Sequence, residues 1–166
     1  MTGEIYVYIL LPMTATLDRS ERTKLGTVAA TCVNLGSRKA ARALTQRYDD
    51  ALRPAGIRST QFSLLVVVAL RQPVTLNALA DAAVVDRTTL TRSLTLLVRD
   101  GLITITPGGD RRTREVRLTG RGRAVLQRAL PLWERTQRAI AEAIGPQHVS
   151  RVLHDLAALV QAAQPA

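Results

Sequence analysis

The run Phe62-Ser-Leu-Leu-Val-Val-Val-Ala-Leu70 is apolar almost all the way round a helical cylinder. A helix without a polar face belongs at the centre of a domain, so the rest of the chain has to be arranged around this one. Thr60 is placed to cap it and Pro73 to break it. Val74 then offers one or two extended residues. Thr75 caps a short helix from Leu76 to Ala82, and after a turn at Ala83–Val85, Asp86 caps a longer one that runs to about Arg99. Gly101 stands where a glycine stops a helix. Leu102 to Thr106 reads as a strand, Pro107-Gly-Gly-Asp110 as a tight turn, and Thr113 to Leu118 as the returning strand.

Amphipathic helices flank this centre. Upstream, Val28, Cys32, Leu35, Ala40, Leu44, Tyr48 and Leu52 recur at helical spacing until Pro54 and Gly56 end the run. Downstream, Thr119 caps a long helix with Val125, Ala129, Leu132, Trp133, Thr136, Ile140 and Ile144 on one stripe, and Pro131 is expected to kink it. After Gly145-Pro146, a last helix carries Val149, Val152, Leu153, Leu156, Leu159 and Val160 on one face. The expected fold is mainly α with a small β-wing, a winged helix-turn-helix at about 58–120 between flanking helices at about 28–53 and 120–163. Residues 23–166 are read as one domain, and 1–22 as a disordered tail or an over-extended start. Ile5–Leu11 follows Glu4 rather than a positive region and is far shorter than a bilayer span, so neither a signal peptide nor a membrane segment is expected.

The charge is concentrated. The 166 residues carry a net +10, almost all of the excess from arginine, since Lys24 and Lys39 are the only lysines. Asp86 to Arg123 holds nine arginines against four acids, a net +5, so half of the excess falls in fewer than a quarter of the residues. Net charge alone does not separate nucleic acid from anionic membrane as the partner. The helix from Asp86 to Arg99 does more. At 100° per residue, Leu90, Leu94, Leu97 and Val98 share one side and would pin it to the core. Thr88, Arg92, Thr95 and Arg99 lie opposite, a face of hydroxyls and guanidinium groups without a carboxylate. Such a face suits a DNA major groove, and the free N–H groups of the first turn favour a phosphate. Arg87, Thr88, Thr89, Thr91 and Arg92 are therefore candidate contacts to bases or phosphates, with Arg111 and Arg112 acting from the wing.

Val74-Thr-Leu-Asn-Ala-Leu-Ala80, Asp86-Arg-Thr-Thr-Leu-Thr-Arg92, Arg99-Asp-Gly-Leu-Ile103, Asp110-Arg-Arg112 and Leu118-Thr-Gly120 together resemble the multiple-antibiotic-resistance regulator (MarR) family, over roughly Thr31 to Val160. The resemblance implies a homodimeric transcription regulator, usually a repressor, with the first and the last two helices forming the dimer interface. It also implies that Arg112 enters the minor groove while Asp110 orients it; a narrow minor groove attracts arginine. The terminal apolar stripes independently need a surface, and a two-fold dimer supplies one that matches a pseudo-palindromic double-stranded operator. A cytoplasmic, ligand-responsive repressor follows, with a small-molecule effector as a further partner.

Two alternatives remain open. Some relatives sense peroxide through a cysteine in the first helix, which makes Cys32 a candidate redox sensor; its position on the apolar stripe favours an inert core role instead. A winged helix can also bind protein, and that reading would want acidic or apolar residues on the outer helix face. Catalysis has no motif behind it: no Gly-rich phosphate loop, no H-E-x-x-H and no G-x-S-x-G occurs. With one cysteine, and His148 and His154 six residues apart, no metal site is expected either. No cofactor is expected.

Overall fold

The computed structural model describes residues 16–109 and 113–163. They divide into two units whose boundary falls between Ala41 and Arg42. In the first unit, helix α1 (Arg19–Thr31) opens inside the segment assigned from sequence to the tail. Its start is well specified. The Asp18 carboxylate accepts the Glu21 N–H at 2.7 Å, and the Glu21 carboxylate accepts the Asp18 N–H at 2.8 Å. This reciprocal pair satisfies two of the N–H groups a helix end leaves free.

The single helix expected from Val28 to Leu52 is in fact two. Cys32 turns extended (ψ 109°) and ends α1, and α2 (Val33–Leu52) starts immediately after it. Thr31, Cys32 and Val33 are three consecutive residues of poor helix propensity, so a break there costs little. Cys32 is half-buried; its N–H bonds the Val28 carbonyl and its own carbonyl accepts the Gly36 N–H.

The second unit holds the core. After a 3-10 turn (Arg53–Ala55), α3 (Ser59–Arg71) buries Phe62, Leu64, Leu65 and Val68 and half-buries Val66, Val67 and Ala69, while Leu70 near its end is 81% exposed. The helix is not capped by Thr60, which lies within its first turn. The Asp49 carboxylate of α2 reaches across to accept both the Ser59 N–H (2.7 Å) and the Ser59 hydroxyl (2.6 Å), while the Gln61 side chain accepts the Arg58 N–H at 2.9 Å. Ser59 holds the Asp49 carboxyl below its usual range, chiefly through the hydroxyl bond; partial burial opposes this, and the Ser59 N–H and the Arg58 charge reinforce it.

Strand β1 (Val74–Thr75) leads into α4 (Leu76–Ala83), then α5 (Arg87–Arg99), β2 (Ile103–Pro107) and β3 (Arg114–Leu118). The strands form one antiparallel sheet in the order β1-β3-β2, with Val74 and Ile105 both opposite Val116 and Ile103 opposite Leu118. Buried Val74, Ile103 and Val116 seat the sheet on the core made by α3, α4 and α5. Gln72 adds a side-chain rung by accepting the Leu118 N–H at 2.9 Å.

Helix α6 (Gly120–Ile144) is joined to this sheet at a single tight locus. Thr119 donates its hydroxyl to the Gly101 carbonyl (2.7 Å) and its N–H to the Leu102 carbonyl (3.1 Å), and it accepts the Gly122 N–H (2.9 Å) as the helix cap. A Cβ at Gly122 would overlap the Leu102 carbonyl oxygen, so this position requires glycine. Pro131 lies inside α6, which continues through it. Trp133 stacks on Phe62 with ring centroids 6.5 Å apart, and the Tyr48 hydroxyl donates to Gln137 at 2.6 Å. Helix α7 (Pro146–Ala163) buries no residue. Among the described residues, no helix is long and apolar enough to cross a membrane.

Candidate nucleic-acid interface

Helix α5 is fixed at both ends. The Asp86 carboxylate accepts the Thr89 N–H (2.9 Å) and the Thr89 hydroxyl (2.7 Å), bonds that hold its pKa below the ordinary carboxylate value. An anion at a helix N-terminus is also favoured by the helix dipole. At the far end, Gly101 takes the left-handed conformation (φ 69°), so that its N–H reaches the Val98 carbonyl (2.9 Å) and the Leu102 N–H reaches that of Leu97 (2.8 Å). This paired closure satisfies carbonyls that a helix C-terminus otherwise leaves open. The inner face buries Leu90, Leu94 and Leu97. Val98, expected beside them, is instead 43% exposed; it overhangs a shallow hollow with Thr91, Thr95 and Ile105.

Arg87, Thr88, Thr89, Thr91 and Arg92 are all exposed, but their donors are not equally available. The Thr89 hydroxyl hydrogen goes to Asp86, and those of Thr91 and Thr95 go to the carbonyls of Arg87 (2.7 Å) and Thr91 (2.8 Å). A hydroxyl engaged this way still has lone pairs to accept from a base amino group, but no proton left for a phosphate oxygen. Thr88 and Arg92 have no side-chain hydrogen-bond partner among the described residues. Arg87 commits one nitrogen to Asn77 on α4, at 2.6 Å, and keeps the other donors of its fork.

Asn77 is the residue that sequence reasoning missed. It lies ten positions before Arg87 and ties the two helices together across the turn at Val84. The only trace in the sequence is an asparagine in a first turn whose cap, Thr75, is already supplied. Arg99, expected on the outer face, does lie there, but it pairs with Asp100 at 2.9 Å.

Asp110, Arg111 and Arg112 lie outside the described residues. Around them, Gly108 N–H bonds the Thr113 carbonyl at 3.0 Å and closes the hairpin. On β3, Arg117 pairs with Glu115 at 3.1 Å while Arg114 is exposed. Among the described residues no group of three or more His, Cys, Asp or Glu is placed to hold a metal.

Two short helices joined by a tight turn, the second presenting an arginine–threonine face beside a basic hairpin, define a winged helix-turn-helix. The MarR family model matches residues 55–113. The transcriptional regulator MosR of M. tuberculosis, solved in complex with DNA, is 42% identical, aligns over 81% of this chain and 99% of its own, and superposes with a TM-score of 0.71. The chain belongs to the MarR family of transcription regulators. An HTH-type transcriptional regulator of Bacillus cereus is 28% identical over 111 residues, covering 67% of this chain and 74% of the relative. A MarR variant from E. coli, complexed with operator DNA, shares the fold at 21% identity (TM-score 0.72, 80% of this chain and 96% of that one).

Proposed function

We propose that the chain is a homodimeric, sequence-specific binder of double-stranded DNA that represses transcription and is released by a small-molecule effector. The observation that carries this reading is the outer face of α5. Arg92 and Thr88 stand there without a side-chain partner among the described residues, and the Asp86 carboxylate at the start of the helix is tied into its cap. Arginine gripping a guanine edge in the major groove is the contact this face suits best. The 42% identical relative, MosR, was solved in complex with DNA, which supports the same partner here. Arg87 is assigned to a phosphate, because the Asn77 bond holds it at the start of the helix. Arg111 and Arg112, with Asp110 as orienting partner, are assigned to the minor groove. Such a regulator works in the cytoplasm, where its operator is.

Dimerisation is supported by what the core leaves uncovered. Among the described residues, every buried apolar one falls between Leu52 and Ala129, while Val152, Leu153, Leu156, Leu159 and Val160 form an exposed stripe along α7. A second copy is the partner whose symmetry would match a two-fold operator.

The test is fluorescence anisotropy of the chain on the duplex upstream of its own gene and on scrambled duplex, across a salt series. Selective binding with a steep fall of log affinity against log salt is expected. Arg92→Ala should cost about 1–3 kcal/mol and relax base preference, whereas Arg87→Ala and Arg112→Ala should weaken all duplexes alike and flatten the salt slope. Equal, weak binding to both duplexes, unaltered by Arg92→Ala, would refute the assignment.

A further inference from the structure

A cleft of about 500 Å³ opens on the second unit, away from the outer face of α5. Its size lies within the range of small-molecule sites. Ala55, Ile57 and Val125 give it a buried apolar floor, and Asp100, Arg121 and Arg128 stand around it. The two arginines are seven residues apart on α6, hence on one face, with their Cα atoms about 10 Å apart along the axis. Neither has an ion-pair or hydrogen-bond partner among the described residues. Asp100, the one carboxylate at the rim, is already engaged by Arg99. The cleft thus combines an apolar floor with two uncompensated guanidinium groups on flexible stems, close enough to converge on one anionic group.

We propose that this cleft binds an organic phosphate monoester with an apolar body, the phosphate between Arg121 and Arg128 and the body on Ala55, Ile57 and Val125. A phosphate monoester carries nearly two negative charges at neutral pH and three acceptor oxygens, which matches two fork-shaped donors. A carboxylate would leave one guanidinium uncompensated.

Position gives the site a consequence. Asp100 and Leu102, which line the cleft, form the junction between α5 and β2. The Arg121 stem lies within ordinary contact of where a Gly101 side chain would begin, and the Leu102 carbonyl is the one that holds Thr119 and abuts Gly122. An occupant therefore presses on the locus that sets recognition helix and wing relative to α6. This deepens the effector part of the regulator reading and rests on it.

Calorimetric titration of the full chain with naphthyl phosphate, naphthoate, naphthol and inorganic phosphate tests the site. Saturable binding of naphthyl phosphate is expected, with naphthoate weaker by about tenfold or more and the other two without measurable binding. R121Q and R128Q should each lower the affinity for naphthyl phosphate about tenfold, with unchanged circular dichroism and unchanged operator affinity in the absence of probe. Affinity for naphthyl phosphate should also fall below about pH 6, as its second proton returns. Binding of naphthol or naphthoate as tight as that of naphthyl phosphate, undiminished affinity in both variants, or no binding of naphthyl phosphate at all would overturn the proposal. Operator anisotropy run in parallel separates the two readings. Probe binding without operator binding would remove the regulator and keep the site, whereas operator binding that no bound probe alters would remove only the effector role.

Discussion

The stretch from Leu52 to Ala129 and the helices at the two ends of the chain are built by opposite rules. In the first, apolar side chains such as Leu52, Leu65, Val68, Leu79, Leu97 and Val116 are wholly inaccessible to water. In the second, α1 and α7 bury nothing, although the apolar residues of α7 keep a helical spacing. Helices of 13 and 18 residues gain little stability in water by themselves, and the dimer proposed above would give the α7 stripe a surface to bury. One region buries its apolar side chains within the single chain, and the other leaves them exposed.

The largest effect should come from breaking the second region alone. Replacing Leu153 and Leu156 together with Asp removes four leucines from a two-fold interface, about 6 kcal/mol per dimer at roughly 1.5 kcal/mol each. Sedimentation should then show a monomer, while the near-ultraviolet signal of Trp133 stacked on Phe62 persists. A dimer of undiminished affinity would mean that the α7 stripe is covered by something other than a second copy.

Gly122→Ala attacks the first region instead. The added methyl meets a backbone carbonyl, which cannot rotate away, so α6 has to shift off the α5–β2 junction; about 3 kcal/mol of stability should be lost. Thermal unfolding would register this as a fall of roughly 10 °C. A loss of under about 1 kcal/mol would show the junction to be looser than described.

Asp49→Asn sharpens the comparison at its seam, where α2 caps α3. Losing a charged acceptor for two donors should cost about 2 kcal/mol at neutral pH. Because the folded carboxyl is depressed, that contribution is complete above the unfolded value near 4 and is lost as pH falls through the folded value. Wild type and variant should therefore converge in stability below about pH 4. Parallel curves across that range would mean that the loss is not electrostatic.

These cases show where sequence reading succeeds. Thr75, Asp86 and Thr119 were legible as caps because each acts on an N–H three residues away, and the hairpin was legible because its strands alternate around a Gly-rich turn. The α5 face was legible for the same reason, being a matter of period alone. What escaped depends on partners distant in sequence or on competition between neighbours. Asp49 displaces Thr60 as the cap of α3 from ten residues upstream, and Asn77 claims one arm of Arg87 across a turn. β1 pairs with a strand some forty residues further on. Val98 satisfies the helical period of the inner face yet stands exposed, at a hollow it shares with Thr91, Thr95 and Ile105. The break at Cys32 was hidden by an apolar spacing that runs through both helices.

The smallest effect, and the one of opposite sign, concerns the turn between the two helices of the DNA-reading motif. Val84 has φ 51° and ψ 48°, and it is the only non-glycine described residue with positive φ. A β-branched side chain is poorly suited to the left-handed region, at a cost of roughly 1–2 kcal/mol. The conformation persists because it lets Val84 and Val85 N–H groups close α4 onto the Asp81 and Ala80 carbonyls, while the Asn77–Arg87 bond clamps the far side. Val84→Gly should remove the strain, but glycine also has more freedom to lose on folding, so the net gain should be about 0.5–1 kcal/mol, measured by urea unfolding. Operator affinity should not change, because the side chain is exposed and the turn geometry stays the same. A variant that gained stability but lost affinity would show instead that the strained turn holds Arg87 and Thr88 in their binding positions, and that the completed region gives up stability for function at this one residue.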